Sequence, residues 1–360
     1  MTCMNQTPFE ATREGYRMPA EWEPQAATWL GWPVYQNREE LWRSHYPAVC
    51  EAFALLARTI AKYQRCIVAA YTPLVAEARR MCGTTVEVVP LAVEDNWLRD
   101  CGAIFLVNED RVEQCATRFR FNAWGEKYHP YDGCAALAVD MARLAGVPLH
   151  SSPMVLEGGS FYVDGQGTLL TTESCLLHPN RNPGMTRGDI EAELRRMLGI
   201  SQVVWLPGNP VEVETNGHVD GIASFIAPGR ILFNAADPDQ GEYYRCMQEN
   251  RRALELATDA RGRRFEILDL PVPRHADNWG TERFCDTYAN YVLVNGAVIS
   301  TAFDVAQDDL ARTVFAQAFP DRVVELLPIA AISVGGGASH CSTQQQPMLG
   351  NRLHTTPRPQ

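Results

Sequence analysis

Asn216-Gly217-His218-Val219-Asp220-Gly221 opens onto an apolar run over 222–227, a turn at Pro228-Gly229 and a second apolar run over 230–235. A polar, glycine-bearing corner followed at once by a tight hairpin is a recognisable unit, and it recurs. Earlier copies begin at Trp97-Leu98-Arg99-Asp100-Cys101-Gly102 and Leu156-Glu157-Gly158-Gly159-Ser160. Later ones begin at Asp286-Thr287-Tyr288-Ala289-Asn290 and Gly335-Gly336-Gly337-Ala338-Ser339-His340-Cys341. The hairpins carry Asn108-Glu109-Asp110, Asp164-Gly165-Gln166-Gly167 and Asn295-Gly296, whose residues suit tight turns. Successive corners stand roughly 50–70 residues apart, a period typical of repeat architectures. Five such units close into a ring as propeller blades do.

Around the corners, apolar runs predict strands at 65–71, 86–91, 103–108, 161–164, 167–172, 203–207, 222–227, 230–235, 265–270, 291–295, 297–301 and 323–329. Helical periodicity marks 38–63, softly broken at Pro47, then 74–82, 132–145, 187–198, 240–259 and 307–319. The interleaving makes this an α/β protein in which each blade also holds a helix. Of 360 residues, 46% are hydrophobic and 21% charged, which fits a globular chain. With 32 basic against 43 acidic residues the net charge is −11, and no basic cluster offers a footprint for nucleic acid. No apolar run is long enough to span a membrane. The N-terminus lacks the pattern of a signal peptide, and a cytoplasmic location is expected. Eleven cysteines are scattered without C-x-x-C spacing, so neither a zinc site nor a disulfide framework is expected.

If the corners face one axis, they bring together Asp100, Glu157, His218, Asp220 and Cys341. A thiol with an imidazole is the inventory of nucleophilic catalysis. The extra carboxylates oppose forming a thiolate, because like charge raises a thiol pKa. A cationic substrate removes the conflict. A planar guanidinium matches two carboxylates bidentately and holds its central carbon for attack. Taken singly, each residue also has a structural reading. His218 fits a buried structural histidine, Asp100 a partner of Arg99, Glu157 a turn acid, and Trp97 either core or pocket wall. Cys341 stands out because three glycines precede it and Ser342-Thr343-Gln344-Gln345-Gln346-Pro347 follows, a stretch unlike a core strand.

Together these motifs resemble the agmatine deiminase family, among the guanidino-group-modifying enzymes that include bacterial peptidylarginine deiminases. The resemblance runs from Met18-Pro19-Ala20-Glu21-Trp22 and Trp32-Pro33 through Phe121-Asn122-Ala123-Trp124-Gly125, Thr171-Thr172-Glu173 and Asn180-Arg181-Asn182-Pro183 to the glycine-rich Cys341 segment. It implies a five-bladed pseudo-symmetric α/β propeller (pentein-type) in one catalytic domain over 1–360. Residues 1–35 would pack on it as an N-terminal segment, and 348–360 would form a disordered tail.

The resemblance further implies Cys341 as nucleophile, His218 as general acid/base, Asp100 and Asp220 as guanidinium clamp, and Glu157 as a further catalytic acid. Trp97 would line the channel, and Glu214 would meet the far amine of a diamine-like substrate. No cofactor and no metal is implied. The partner is a small cationic guanidino substrate, with room for a homo-oligomer, dimer or tetramer, and a place in polyamine biosynthesis. The implied reaction is hydrolysis of agmatine to N-carbamoylputrescine and ammonia. Alternatives are deimination of arginine or a guanidino acid, arginine deimination in peptides, amidinotransfer, and a guanidine-binding protein without turnover. The chain departs from the family at Cys101-Gly102-Ala103, Phe161-Tyr162 and Ala338-Ser339, and 274–290 is shorter and different, so the tail pocket is where substrate choice is open.

Overall fold

The computed structural model describes residues 8–35, 39–274 and 279–350. The expected unit is realised five times. In four of them a strand entering from a corner turns through a hairpin into an antiparallel neighbour, and a helix then crosses back to a parallel third strand. The units are Ile104–Asn108, Gln114–Arg120 and Leu149–Val155; Phe161–Val163, Thr168–Thr172 and Gln202–Leu206; Ala223–Ala227, Arg230–Ala235 and Glu266–Pro271; and Val292–Val294, Ala297–Thr301 and Val323–Leu327. The remaining unit joins the two ends of the chain. The strand Thr343–Pro347 pairs antiparallel with Gln25–Gly31, which runs parallel to Arg65–Ala70 and then Glu87–Pro90.

Local chemistry sets the boundaries. The helix Arg187–Leu198 starts at a capping box in which Thr186 and Asp189 satisfy each other's backbone, and it stops at left-handed Gly199. Asp164 shapes the hairpin before Thr168–Thr172 by accepting from the amides of Gln166 and Thr168 and from the Thr168 hydroxyl. The helix foreseen over 38–63 runs Tyr46–Ala61, with Pro47 in its first turn, where no donor is lost. Arg38 lies outside the described residues, as do Cys3 and residues 351–360 of the foreseen tail. Among the described residues no helix is long and apolar enough to cross a membrane.

One expectation about the last segment is overturned. Thr343–Pro347 is a strand, and Thr343, Gln344, Gln345 and Pro347 in it are buried. Its amides are used in place of apolar contact: Gln345 accepts from Arg99, and Gln346 accepts from the Trp29 indole and donates to Gln114. Gln25–Gly31, likewise not foreseen as a strand, is a central strand of this first sheet.

Candidate active site

Each of the five corners immediately precedes the first strand of its sheet, and four of them meet around Gly159. A methyl carbon placed on Gly159 would lie 2.7 Å from His218 Nδ1, 2.9 Å from Asp100 Oδ1 and 2.9 Å from Asp220 Oδ2. An imidazole and two carboxylates thus form a cluster packed against Gly159, too tight to admit a further atom at that point. Cys341 completes it, its Sγ 3.3 Å from Asp220 Oδ2. Asp100, His218, Asp220 and Cys341 are all buried, each less than a tenth exposed.

Asp100 is aimed by two donors, the Gly159 amide on Oδ1 at 2.9 Å and the Trp124 indole on Oδ2 at 2.8 Å. Trp124 reaches it from a left-handed turn in which Ala123, Trp124 and Glu126 all have positive φ. Such non-glycine residues cost about 1–2 kcal/mol each, a strain that surrounding packing must hold. Arg99 does not pair with Asp100. It turns away to Glu21 and Gln345, leaving Asp100 free of that neighbour's charge.

His218 stands between acids, with Nδ1 3.9 Å from Asp100 Oδ1 and Nε2 3.9 Å from Glu157 Oε2. At those separations they are ion pairs and not hydrogen bonds. Burial pushes the imidazole pKa down, but Asp100, Cys175 and Glu157 outweigh it and hold it well above its usual value. Glu157 is fully buried, lines neither of the two spaces that Cys341 borders, and faces His218. Burial would raise its pKa, yet Arg181, donating to Oε1 at 2.6 Å, and His218 keep it below the usual carboxylate range. Glu157, Cys175 and His218 also bring one ligand-type atom each within 4.8 Å of one another, but the Arg181 guanidinium on Glu157 opposes a cation there.

Cys341 is pushed far above an ordinary thiol, first by burial and then by Asp220 and Asp100. Asn290 partly offsets this by donating through Nδ2 to Sγ at 3.0 Å and to Asp220 Oδ2 at 3.0 Å. Its Oδ1 meanwhile accepts the amides of Ala338, His340 and Cys341, pinning the loop that carries Cys341. The repeat located Asn290 as a corner residue but gave it no role. Trp124, Arg181 and Cys175 were likewise unassigned, since only tertiary contact reveals them. Gly337 makes the thiol approachable: a Cβ there would stand 2.7 Å from the Trp97 ring and 3.1 Å from Cys341 Sγ. Trp97 is therefore both core and wall.

Cys341 borders two adjoining spaces. A cavity of about 880 Å³ is lined by His218, Asp220, Asn290, Glu212, Glu214 and the 280–287 stretch. A narrow recess of about 20 Å³ lies between Trp97, Asp100, Trp124, Tyr128 and Glu214. Glu214 sits at the seam and is already engaged. Its Oε1 accepts from Arg283 Nε at 3.0 Å and its Oε2 from the Tyr128 hydroxyl. Of the family departures, Cys101, Ala103, Phe161, Tyr162, Ala338 and Ser339 border neither space, whereas the 280–287 stretch does.

Fold and site thus define an α/β repeat protein built around a buried thiol, an imidazole and two carboxylates. A profile of the Porphyromonas-type peptidyl-arginine deiminase family matches residues 17–347, and the chain belongs to that family. An agmatine deiminase from Pseudomonas aeruginosa is 36% identical over 93% of this chain and 96% of its own. The structure of the agmatine deiminase of Enterococcus faecalis superposes with a TM-score of 0.91 at 32% identity, covering 95% of this chain and 99% of that one. A substrate-bound agmatine deiminase from C. jejuni gives 0.82 at 25% identity, over 92% and 96%.

Proposed function

We propose that this protein hydrolyses agmatine to N-carbamoylputrescine and ammonia through a covalent intermediate on Cys341, the whole chain acting as one catalytic domain. The observation that carries this reading is the convergence of Asp100, Asp220 and His218 beside the Cys341 thiol, where His218, Asp220 and Cys341 border the large cavity and Asp100 and Cys341 the adjoining recess. The relatives named agmatine deiminase support the substrate.

In this reading the two carboxylates grip the guanidinium, whose positive charge offsets the acids that disfavour a thiolate. The thiol proton leaves to solvent and sulfur bonds to the guanidinium carbon. His218, charged before substrate arrives, gives its proton to the departing nitrogen; the C–N bond breaks and ammonia leaves. The S-alkylthiouronium remains on Cys341. His218, now neutral, takes one proton from water as the oxygen adds to the same carbon; as the C–S bond breaks, the remaining hydroxyl proton passes through solvent to the ammonia, and the ureido product and the thiolate are released. Guanidinium and water have become ureido compound and ammonium. Glu157 acts through His218, keeping the ring charged and oriented. Ten free cysteines among the described residues favour a reducing compartment, in keeping with a cytoplasmic enzyme.

The test is a panel of agmatine, arginine and guanidino acids of varied chain length, with ammonia and ureido product both quantified. Agmatine should give the highest kcat/KM. A guanidino acid preferred over agmatine by more than about tenfold, ~1.4 kcal/mol at the transition state, would overturn the substrate assignment.

A further inference from the structure

Behind Asp220 runs a buried chain of alternating charge. Asp220 Oδ2 is 2.9 Å from His340 Nδ1, whose other nitrogen is 2.9 Å from Glu21 Oε1, and Arg99 Nη1 reaches that same oxygen at 3.1 Å. Arg99 also donates to Gln345 and to the His340 carbonyl. All four ionisable groups are buried, and His340 is wholly so. An ionised carboxylate only accepts hydrogen bonds, and a neutral imidazole has one N–H and one lone pair. With carboxylate oxygens at both ring nitrogens, a neutral His340 would turn a lone pair onto an anion. Only the imidazolium satisfies both contacts.

The geometry points to His340, clamped by Glu21 and Arg99, as a positioning residue that keeps Asp220 ionised and aimed at the nucleophile. This rests on reading Asp220 as part of the guanidinium grip. Asp220 needs such a counterion. It is buried beside Asp100, Cys341 and Cys285, and the other cation near it, His218, also faces Asp100 and Glu157. Burial alone would raise the Asp220 pKa, and His340 is the largest influence that lowers it. Around His340, the groups favouring its charge are Asp220 and Glu21, while burial and Arg99 oppose it; the Tyr162 ring lies 4.9 Å away. Because His340 directly precedes Cys341 in the chain, the same contact that charges Asp220 also sets the position of the thiol.

The test compares pH profiles of kcat/KM for wild type, His340→Gln and Asp220→Asn. Without its imidazolium partner Asp220 takes up a proton more readily. The acid limb of His340→Gln should therefore move up by about one pH unit, so that its deficit is about tenfold larger on the acid side than on the alkaline side. A purely structural residue would lower the whole profile without moving the limb, and that result overturns the proposal. If Asp220→Asn itself turns over agmatine normally, the grip reading fails. If Asp220→Asn is crippled while His340→Gln keeps an unmoved limb, only the positioning role fails. Should His340→Gln not fold, nitrogen-15 histidine NMR of the wild-type protein decides, the signal being assigned by its shift in Glu21→Gln. Both His340 ring nitrogens should stay protonated above the usual histidine range, and a neutral ring at neutral pH overturns the proposal.

Discussion

Gly159→Ala places one methyl group where the site closes around the guanidinium. The new carbon would stand 2.7 Å from His218 Nδ1 and 2.9 Å from each of Asp100 Oδ1 and Asp220 Oδ2, closer than unbonded atoms tolerate. Gly159 has no positive φ, so its backbone accepts alanine, and its amide still serves Asp100. Overpacking of this kind costs about 1–3 kcal/mol of stability, which a folded protein of this size survives. Catalysis should suffer more. If the substrate loses one charge-assisted hydrogen bond to each carboxylate, at about 1.5–3 kcal/mol apiece, transition-state binding falls by roughly 3–6 kcal/mol, or about 10²–10⁴-fold in kcat/KM. The assay is ammonia release from agmatine, alongside thermal melting to confirm a folded variant. A folded Gly159→Ala within about threefold of wild type would mean that the guanidinium is not gripped by this cluster, and the grip would have to be sought elsewhere.

Three further outcomes follow from the same geometry. Glu214→Gln should raise KM for agmatine strongly and leave a guanidino substrate with a neutral tail nearly unchanged, because a buried tail ammonium without a partner is costly. Arg283→Gln, which releases Glu214 from its ion pair, should lower KM for agmatine, and steady-state kinetics on both substrates showing no change in either variant would remove Glu214 from the tail site. Since burial and the clamp acids hold the Cys341 thiol high, a cationic haloacetamidine should alkylate it faster than a neutral reagent of equal intrinsic reactivity; equal rates by peptide mapping would contradict substrate-assisted thiolate formation. Stability of the unliganded protein should peak on the acid side of neutrality. His218 and His340 have raised native pKa values, so their contribution is full below about 6.5 and is lost as pH rises; Asp100, also raised, adds to that decline. Glu21, Glu157 and Asp220 are depressed, so theirs is present above about 4 and lost as pH falls. A melting temperature that climbs steadily from about pH 5 to 8 would contradict these charge states.

The repeat was legible because its punctuation is local. Corners such as Asn216–Gly221 and turns such as Asn295-Gly296 are written in neighbouring residues, and each was followed by the hairpin it announced. Strands whose burial is satisfied by side-chain hydrogen bonds were not. Thr343–Pro347 holds three glutamines, and Leu149–Val155 reads His-Ser-Ser-Pro within it, so neither shows the apolar alternation that marks a half-buried strand. The corner residues Asp100, His218, Asp220 and Cys341 could be drawn together once the repeat was seen. What positions them could not, because Trp124, Arg181, Asn290 and the Glu21–His340 pair act over separations of 24 to 319 residues. Glu157 shows the same limit from the other side: its corner is where the repeat places it, but its pairing with His218 and Arg181 shows only in the folded chain.

The central claim is a covalent thiouronium on one named sulfur. Rapid acid quenching during turnover of agmatine, followed by intact and peptide mass spectrometry, reads it directly. The adduct should equal the substrate less ammonia, be confined to the peptide carrying Cys341, and be absent in Cys341→Ala, which should release no ammonia. Turnover persisting in Cys341→Ala, or an adduct on any of the other cysteines, would contradict it.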